Sequence, residues 1–111
     1  MPNRIYTCGI DAAVDVMGGK WKGLILWWLQ EGPLRFGELR RSVEGISERV
    51  LIVQLRELEG HGLVHREVHH QVPPKVEYSL TDFGRTLLPS LNVLGAWGEA
   101  NMERLQNRAR G

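Results

Sequence analysis

The sequence feature that most constrains the fold is a pair of short helical patterns separated by a glycine turn. Residues 35–42 form the first pattern, with Phe36 among its inward residues, and residues 48–59 form the second. The apolar stripe of the second pattern consists of Leu51, Leu55 and Leu58. Gly45 marks the turn, and Ser47 is placed to cap the second helix because its hydroxyl can accept from an unpaired backbone N–H. Two helices joined this closely predict a helix-turn-helix.

The pattern on either side of this pair predicts two earlier helices and a later hairpin. Apolar residues recur at helical spacing over residues 10–17 and again over 21–30. Apolar and polar residues then alternate over 63–69 and 75–80, which predicts two strands. The segment 72–74, with two prolines, forms the turn between them.

The chain closes with a helical pattern that Thr81 is placed to cap and that runs through Leu105. Pro89 either breaks or restarts this helix. With 111 residues, one domain over 1–111 is expected. The predicted fold class is mainly α with a small antiparallel β hairpin: a winged helix-turn-helix with extra N- and C-terminal helices.

Composition excludes several classes of protein. The formal net charge is only +1 at pH 7, so bulk charge selects no partner. No apolar run reaches membrane-spanning length, residues 1–9 lack signal-peptide features, and the single Cys8 has no internal disulfide partner. We therefore expect a cytoplasmic protein that contacts no membrane. No phosphate loop, carboxylate pair or nucleophile with a base is present, so neither an enzyme nor a cofactor is predicted.

The second helix of the pair has a polar side that suits a DNA groove. With the leucine stripe inward, Arg49, Ile52, Val53 and Arg56 face outward at about 100° per residue. Arginine can pair with guanine or phosphate, and branched apolar side chains can meet thymine methyl groups. The alternatives are that Ile52 or Val53 packs on a neighbouring element, or that the arginines belong to an ordinary solvated face.

The hairpin supplies a second set of candidate contacts. His70, Gln71 and Lys75 lie at or beside its tip and are suited to the DNA backbone or the minor groove. Arg35 and Arg66 are further candidates for phosphate contacts. The alternative is a plain surface turn, because only Lys75 at the tip is reliably cationic at neutral pH.

Ten short segments, spread over residues 8–98 in a fixed order and spacing, resemble the HxlR-type regulators. They are Gly18-Gly19-Lys20-Trp21-Lys22, Arg35-Phe36, Glu38-Leu39, Gly45-Ile46-Ser47, Leu55-Arg56-Glu57-Leu58-Glu59, Gly62-Leu63-Val64, Val72-Pro73-Pro74-Lys75-Val76-Glu77-Tyr78-Ser79-Leu80-Thr81, Gly84, Leu88-Pro89 and Trp97-Gly98. The resemblance implies a bacterial, MarR-related winged-helix transcription regulator. Such a protein acts as a repressor or an activator on double-stranded, pseudo-palindromic operator DNA.

The resemblance also implies a homodimer whose interface is built by the first helix and by the C-terminal helices over 81–107. The candidate interface residues are Ile10, Leu87, Leu91, Leu94 and Trp97. The last four form an apolar stripe, and the alternative is that this stripe only covers the core of its own chain.

Cys8 stands where some HxlR-type regulators carry a redox-sensing cysteine, so the resemblance implies an oxidant as a candidate signal. Gly9 replaces the proline that often follows that cysteine, and Arg4 is a candidate for lowering the thiol pKa. The alternatives are a thiol without a sensing role and an unknown small-molecule signal. The four histidines lack the companions of a recognisable zinc site, so no metal is predicted.

A rival function from a different class is a winged-helix protein-interaction module that has lost DNA binding. The near-neutral net charge and the acidic Glu48 beside the arginine-bearing side support it. Binding to randomised duplex DNA separates the two hypotheses.

Overall fold

Six helices and three short strands make up the part of the chain that the structure describes. The structure is a computed structural model, which describes residues 5–110 and the side chains of residues 5–108. In chain order the elements are α1 (Gly9–Met17), α2 (Lys22–Trp28), β1 (Leu34–Arg35), α3 (Phe36–Ser42), α4 (Glu48–Gly60), β2 (Val64–His69), β3 (Lys75–Leu80), α5 (Asp82–Arg85) and α6 (Leu88–Arg110). This is the order of a winged helix with helices added at both ends, as the sequence predicts.

The core lies between α2, α3 and α4. The leucine stripe of α4 is buried as predicted, with Leu51, Leu55 and Leu58 each at most 1% exposed. It packs in one cluster with Ile25, Leu26, Leu29 and Leu39, whose exposure is 0%. Burying each such side chain contributes about 1.5–3 kcal/mol relative to leaving it in water. The stripe therefore fixes which side of α4 faces the protein.

The helix-turn-helix has the local geometry that its turn residues predict. Gly45 has φ of +89°, a conformation that a residue with a Cβ rarely adopts. Ser47 caps α4: its hydroxyl oxygen accepts a hydrogen bond from the backbone N–H of Val50 at 3.1 Å. Both residues fix where α4 begins.

The sheet has three antiparallel strands in the order β1-β3-β2, where the sequence predicted only a hairpin. The hairpin is present, with its ends at the pairs Val64↔Leu80 and His69↔Lys75. Strand β1 was missed because two residues are too few to show alternation. It pairs with β3 through Leu34↔Tyr78, which ties the hairpin to the start of α3.

The predicted C-terminal stretch is divided into α5 and α6. Thr81 caps α5, accepting from the backbone N–H of Gly84 at 2.9 Å. Gly84 packs directly against the backbone carbonyl of Leu63, and a Cβ would collide there. Pro89 lies in the first turn of α6, where proline is compatible with a helix, so the helix restarts before it. The second helix, predicted over residues 21–30, spans Lys22–Trp28, and a 3₁₀ turn over Leu29–Glu31 follows it.

Helix α6 is the longest element, with 23 residues. None of the helices in the described range combines the length and apolarity that a membrane crossing requires.

Candidate nucleic-acid interface

The side of α4 opposite its leucine stripe is open to solvent. Arg49, Val53 and Arg56 are exposed, and Ile52 is half-buried between them. These four residues, here called the α4 outer face, line a shallow depression together with Ser47 and Glu48. Arg49, Val53 and Arg56 are therefore free to meet a partner, whereas Ile52 is partly covered and also lines a concavity shared with residues of the sheet.

A groove of about 600 Å³ runs between α4 and the sheet. Its lining comprises Phe36, Glu48, Ile52, Leu55, Arg56, Glu59, Arg66, Val76 and Tyr78. Arg56 from α4 and Arg66 from β2 both line it, so two guanidinium groups border one concave surface. The sequence proposed Arg66 only as a lesser phosphate contact. Residues 65–68 of β2 are all exposed, so alternation along this strand did not reveal which side chains face the groove.

Glu48, the acidic residue that favours the rival function, has a compensating neighbour. Its carboxylate oxygen Oε2 lies 3.9 Å from Arg40 Nη1. Both side chains are at least half exposed, so this ion pair adds little stability. It nevertheless places a positive charge beside the carboxylate, and a carboxylate in the first turn of a helix also interacts favourably with the helix dipole.

The β2–β3 hairpin, here called the wing, carries fewer free positive charges than its sequence suggests. His69 Nε2 lies 2.8 Å from Glu77 Oε1, and Lys75 Nζ lies 3.7 Å from Glu77 Oε2. Lys75 is only half-exposed, whereas His70 and Gln71 at the tip are exposed. Glu77 therefore offsets part of the charge that the predicted wing contact was based on.

A second carboxylate of the wing, Glu67, lies directly opposite Glu77 in the strand ladder and is paired with His65. A hydrogen bond from His65 Nε2, at 2.7 Å, holds the pKa of Glu67 below its usual value, and the charges of His65 and His69 add to this effect. Because the pKa of Glu67 is lower in the folded state, its ionised carboxylate stabilises the fold at pH values above the ordinary carboxyl pKa. That contribution is lost as the pH falls through the lowered value.

Arg35 lies at the junction of β1 and α3, and its side chain is exposed. Its backbone N–H donates to Glu38 Oε1 at 2.8 Å, which ties the start of α3 to its own first turn. The structure thus places Arg35 on the same strand ladder as the wing, opposite Glu77.

The five candidate interface residues fall into two groups. Leu91 is only 7% exposed and belongs to the core, where it packs next to Gly23 of α2, and Leu87 is partly buried against the same core. Ile10, Leu94 and Trp97 are instead 74%, 56% and 59% exposed. The predicted apolar stripe therefore has two environments. Leu87 and Leu91 cover the core of their own chain, which was the alternative to an interface, whereas Leu94 and Trp97 are exposed.

The exposed apolar surface extends beyond those candidates. Val14 on α1 and Trp27 and Trp28 on α2 are also at least 38% exposed. The two tryptophan rings meet edge to face, with their centroids 5.1 Å apart. Val93, Met102 and Leu105 extend the exposed surface along α6.

Cys8 is exposed and occupies the position just before α1. The backbone N–H of Asp11 lowers the thiol pKa most, and the N–H of Ile10 and the Thr7 side chain lower it further, while partial desolvation opposes them. A lowered pKa gives more thiolate, the reactive form, at neutral pH. Arg4, the predicted cause, lies outside the described residues. Within the described range, no three histidine, cysteine or carboxylate side chains are grouped as a metal site requires.

Comparison with known proteins identifies relatives over almost the whole chain. The model of the HxlR-like helix-turn-helix family matches residues 16–106. The HTH-type transcriptional regulator YybR of Bacillus subtilis (strain 168) is 53% identical over 96% of this chain and 84% of its own length. An HTH-type transcriptional regulator of Methanothermobacter thermautotrophicus is 48% identical over 85% of this chain and 72% of its own.

Solved structures agree with the sequence relatives. The redox regulator HypR in its reduced form is 52% identical, with a TM-score of 0.84 over 90% of this chain and 99% of HypR. Its oxidized form is 55% identical, with a TM-score of 0.81 over 85% of this chain and 97% of its own. The chain belongs to the HxlR-like helix-turn-helix family and is a transcriptional regulator of the helix-turn-helix type rather than an enzyme.

Proposed function

We propose that the protein is a homodimeric, sequence-specific DNA-binding regulator in which α4 enters the major groove. The observation that carries the proposal is the two-sided character of α4. Its leucine side is buried completely, while Arg49, Val53 and Arg56 are left in solvent with Ile52 at the floor of the depression between them. Arginines suit guanine edges and phosphates, and branched apolar side chains suit thymine methyl groups.

Three further sets of residues extend this contact surface. Ser47 is exposed at the start of α4, where the DNA backbone beside the major groove would pass. Its hydroxyl also caps the helix. In the wing, the contact residues are His70, Gln71 and Lys75, which are suited to the neighbouring DNA backbone or minor groove. Arg35 and Arg66 add phosphate contacts beside α4.

The dimer is proposed because α1 and α6 expose apolar side chains that a single chain leaves in water. Ile10, Leu94 and Trp97 form its centre, and exposed apolar patches of this kind mark protein interfaces. Two copies of α4 set about 34 Å apart would read successive major grooves of a pseudo-palindrome.

The test is selection of bound duplexes from a randomised pool, followed by titration of the recovered sequence at two salt concentrations. We expect one enriched, two-fold-symmetric site bound by a dimer, with affinity that falls steeply as salt rises. Recovery of no preferred sequence would favour the rival interaction module.

We further propose that Cys8 receives an oxidant signal, a function favoured by its exposure and lowered pKa. A hydroperoxide would transfer one oxygen atom to the Cys8 thiolate, giving a sulfenate and an alcohol. The resulting sulfenic acid can condense with Cys8 of the second subunit to form a disulfide and release water. Either product, formed just before the helix α1 that is proposed to lie in the dimer interface, changes the relative position of the two subunits. An unknown small-molecule signal remains a second candidate.

The thiol chemistry is tested by the rate of alkylation of Cys8 as a function of pH. Because the native pKa is lowered, we expect the native protein to react faster near pH 7 than the same protein in urea, with the half-maximal rate at lower pH. Identical profiles would remove the basis for the proposal. Treatment with peroxide should then change operator affinity in the wild type but not in Cys8→Ser.

A further inference from the structure

Lys22, at the start of α2, is the one charged side chain that is buried among the described residues, with 8% exposure. Its Nζ donates a hydrogen bond to Glu57 Oε1 at 2.9 Å. Glu57 lies on α4, in the turn that follows Val53. The bond therefore joins the first residue of α2 directly to the helix proposed to read DNA.

An ammonium group withdrawn from water is costly unless a carboxylate accepts from it, so the position of Glu57 is constrained by Lys22. Apolar packing constrains α4 differently. The leucine stripe fixes which side of α4 faces the protein. Because the hydrophobic effect is non-directional, the stripe is less sensitive to small rotations of the helix about its own axis. Glu57 lies on the flank between the leucine stripe and the outer face at about 100° per residue. A bond at that flank limits the rotation.

Trp21, the residue just before Lys22, contacts the turn that precedes α4. The Trp21 ring lies beside Gly45 in the turn that precedes α4, where an added Cβ would stand 3.9 Å from Trp21 Cη2. Lys20 Nζ in turn lies over the Trp21 ring, 4.7 Å from its centroid. The segment 20–22 thus contacts the region of α4 at two places, one before its start and one in its second half.

We propose that Lys22 is a positioning residue for sequence recognition: through Glu57 it fixes the rotation of α4, and with it the direction in which Arg49 and Arg56 project. The inference rests on the proposed function. It predicts that the Lys22–Glu57 bond contributes to discrimination between base sequences more than to attraction to DNA, since phosphate contacts tolerate small rotations better than bidentate base contacts do.

The test compares Lys22→Met with the wild type on the selected operator and on a scrambled duplex. Methionine keeps the apolar stem and removes the charge. We expect operator affinity to fall about ten- to hundredfold, the range for a misplaced base contact, while affinity for the scrambled duplex stays within about twofold. Lys22→Arg should recover most of the loss, and the exchange Lys22→Glu with Glu57→Lys part of it. Arg85→Met, which removes an exposed positive charge from α5, is the matched control and should leave both affinities unchanged.

Two outcomes overturn the inference. Equal losses on both duplexes, together with a lower melting temperature, would assign Lys22 a purely structural role, and an unchanged operator affinity would remove any role. If Lys22→Met does not fold, Glu57→Gln replaces it, because glutamine keeps an oxygen acceptor on a partly exposed side chain. The Glu57→Gln protein must then lose affinity for the operator selectively, by a smaller factor. A wild type that prefers no duplex contradicts the proposed function itself, whereas a selective wild type with an equally selective Lys22→Met contradicts only this inference.

Discussion

Helices α4 and α6 are both amphipathic, yet their apolar sides have different environments. In α4 the side chains of Leu51, Leu55 and Leu58 are at most 1% exposed, so the helix is fully seated in its own chain. Among the described side chains of α6, which end at residue 108, only Leu91 is buried, while Leu94 and Trp97 are more than half exposed. Helix α4 has therefore completed its protein contacts and offers a polar surface, whereas α6 offers an apolar surface that the described part of its own chain does not cover.

The length of α6 explains the difference. A helix of 23 residues is about 35 Å long, and its buried contact is near its start, where Leu91 lies beside Gly23 of α2. Its first turns pack on α2, and its later turns extend past the core. We therefore expect α4 to contact nucleic acid and the later part of α6 to contact a second copy of the chain.

The largest effect is expected when the apolar surface of α6 is broken. Trp97→Glu places a charge in the proposed interface, so we expect a monomer in sedimentation or light scattering. Operator affinity should fall more than about a hundredfold, because one half-site then binds without the second. Glu103→Ala, on the opposite side of α6, is the control. A Trp97→Glu protein that remains a dimer would show that α6 does not form the interface.

Arg49→Ala tests whether the α4 outer face contacts DNA bases. We expect a loss of about 1–3 kcal/mol on the selected operator and relaxed preference at one base pair in each half-site, if the guanidinium makes a bidentate base contact. Titration of operator variants at that position measures both. Arg85→Ala, an exposed arginine on α5, is the control. An equal loss on every sequence would restrict Arg49 to phosphate.

Ser47→Ala should act on the fold first. Loss of the hydroxyl that accepts from the Val50 N–H costs about 1 kcal/mol of the free energy of unfolding, measured by urea denaturation. Ser47→Asp, which preserves an acceptor, should restore stability. If Ser47→Ala leaves stability unchanged but weakens DNA binding, the hydroxyl serves DNA rather than the cap.

Lys75→Ala is expected to have the smallest effect, since Glu77 already offsets its charge. Binding should weaken by about the same small factor on all duplexes, and the slope of log affinity against log salt should decrease by less than the roughly one unit of an unpaired lysine–phosphate contact. Gln71→Ala is the uncharged control, which should leave the slope unchanged. A change of sequence preference in Lys75→Ala would show that the wing reads bases.

The parts of the fold that follow from local signals could be predicted from the sequence. The burial of the α4 stripe and the caps at Ser47 and Thr81 are examples, because each depends on residues within a few positions of one another. Strand β1 was missed because its two residues show no alternation and their pairing partner lies far along the chain at Tyr78. The burial of Leu91 depends on where α6 passes α2, which periodicity alone does not reveal.

The same distinction holds in the candidate site. The outward direction of Arg49 and Arg56 follows from helical geometry once the leucine stripe is identified. The Lys22–Glu57 bond joins positions 35 residues apart, and a sequence that also offers other lysines and glutamates does not select this pair. Lys75 and Glu77, by contrast, are two positions apart on the predicted strand, so alternation places them on one face and their pairing could have been predicted.

The most direct test of the account is DNA cleavage by a reagent tethered to one position of each helix. In a Cys8→Ser background, Val53→Cys places the reagent on the α4 outer face, and Val93→Cys places it on exposed α6. We predict that the reagent at position 53 cuts the operator at two symmetric clusters about one helical turn apart and that the reagent at position 93 does not. Cleavage from position 93, or none from position 53 while the labelled protein remains bound, would contradict the assignment of α4 to the DNA groove.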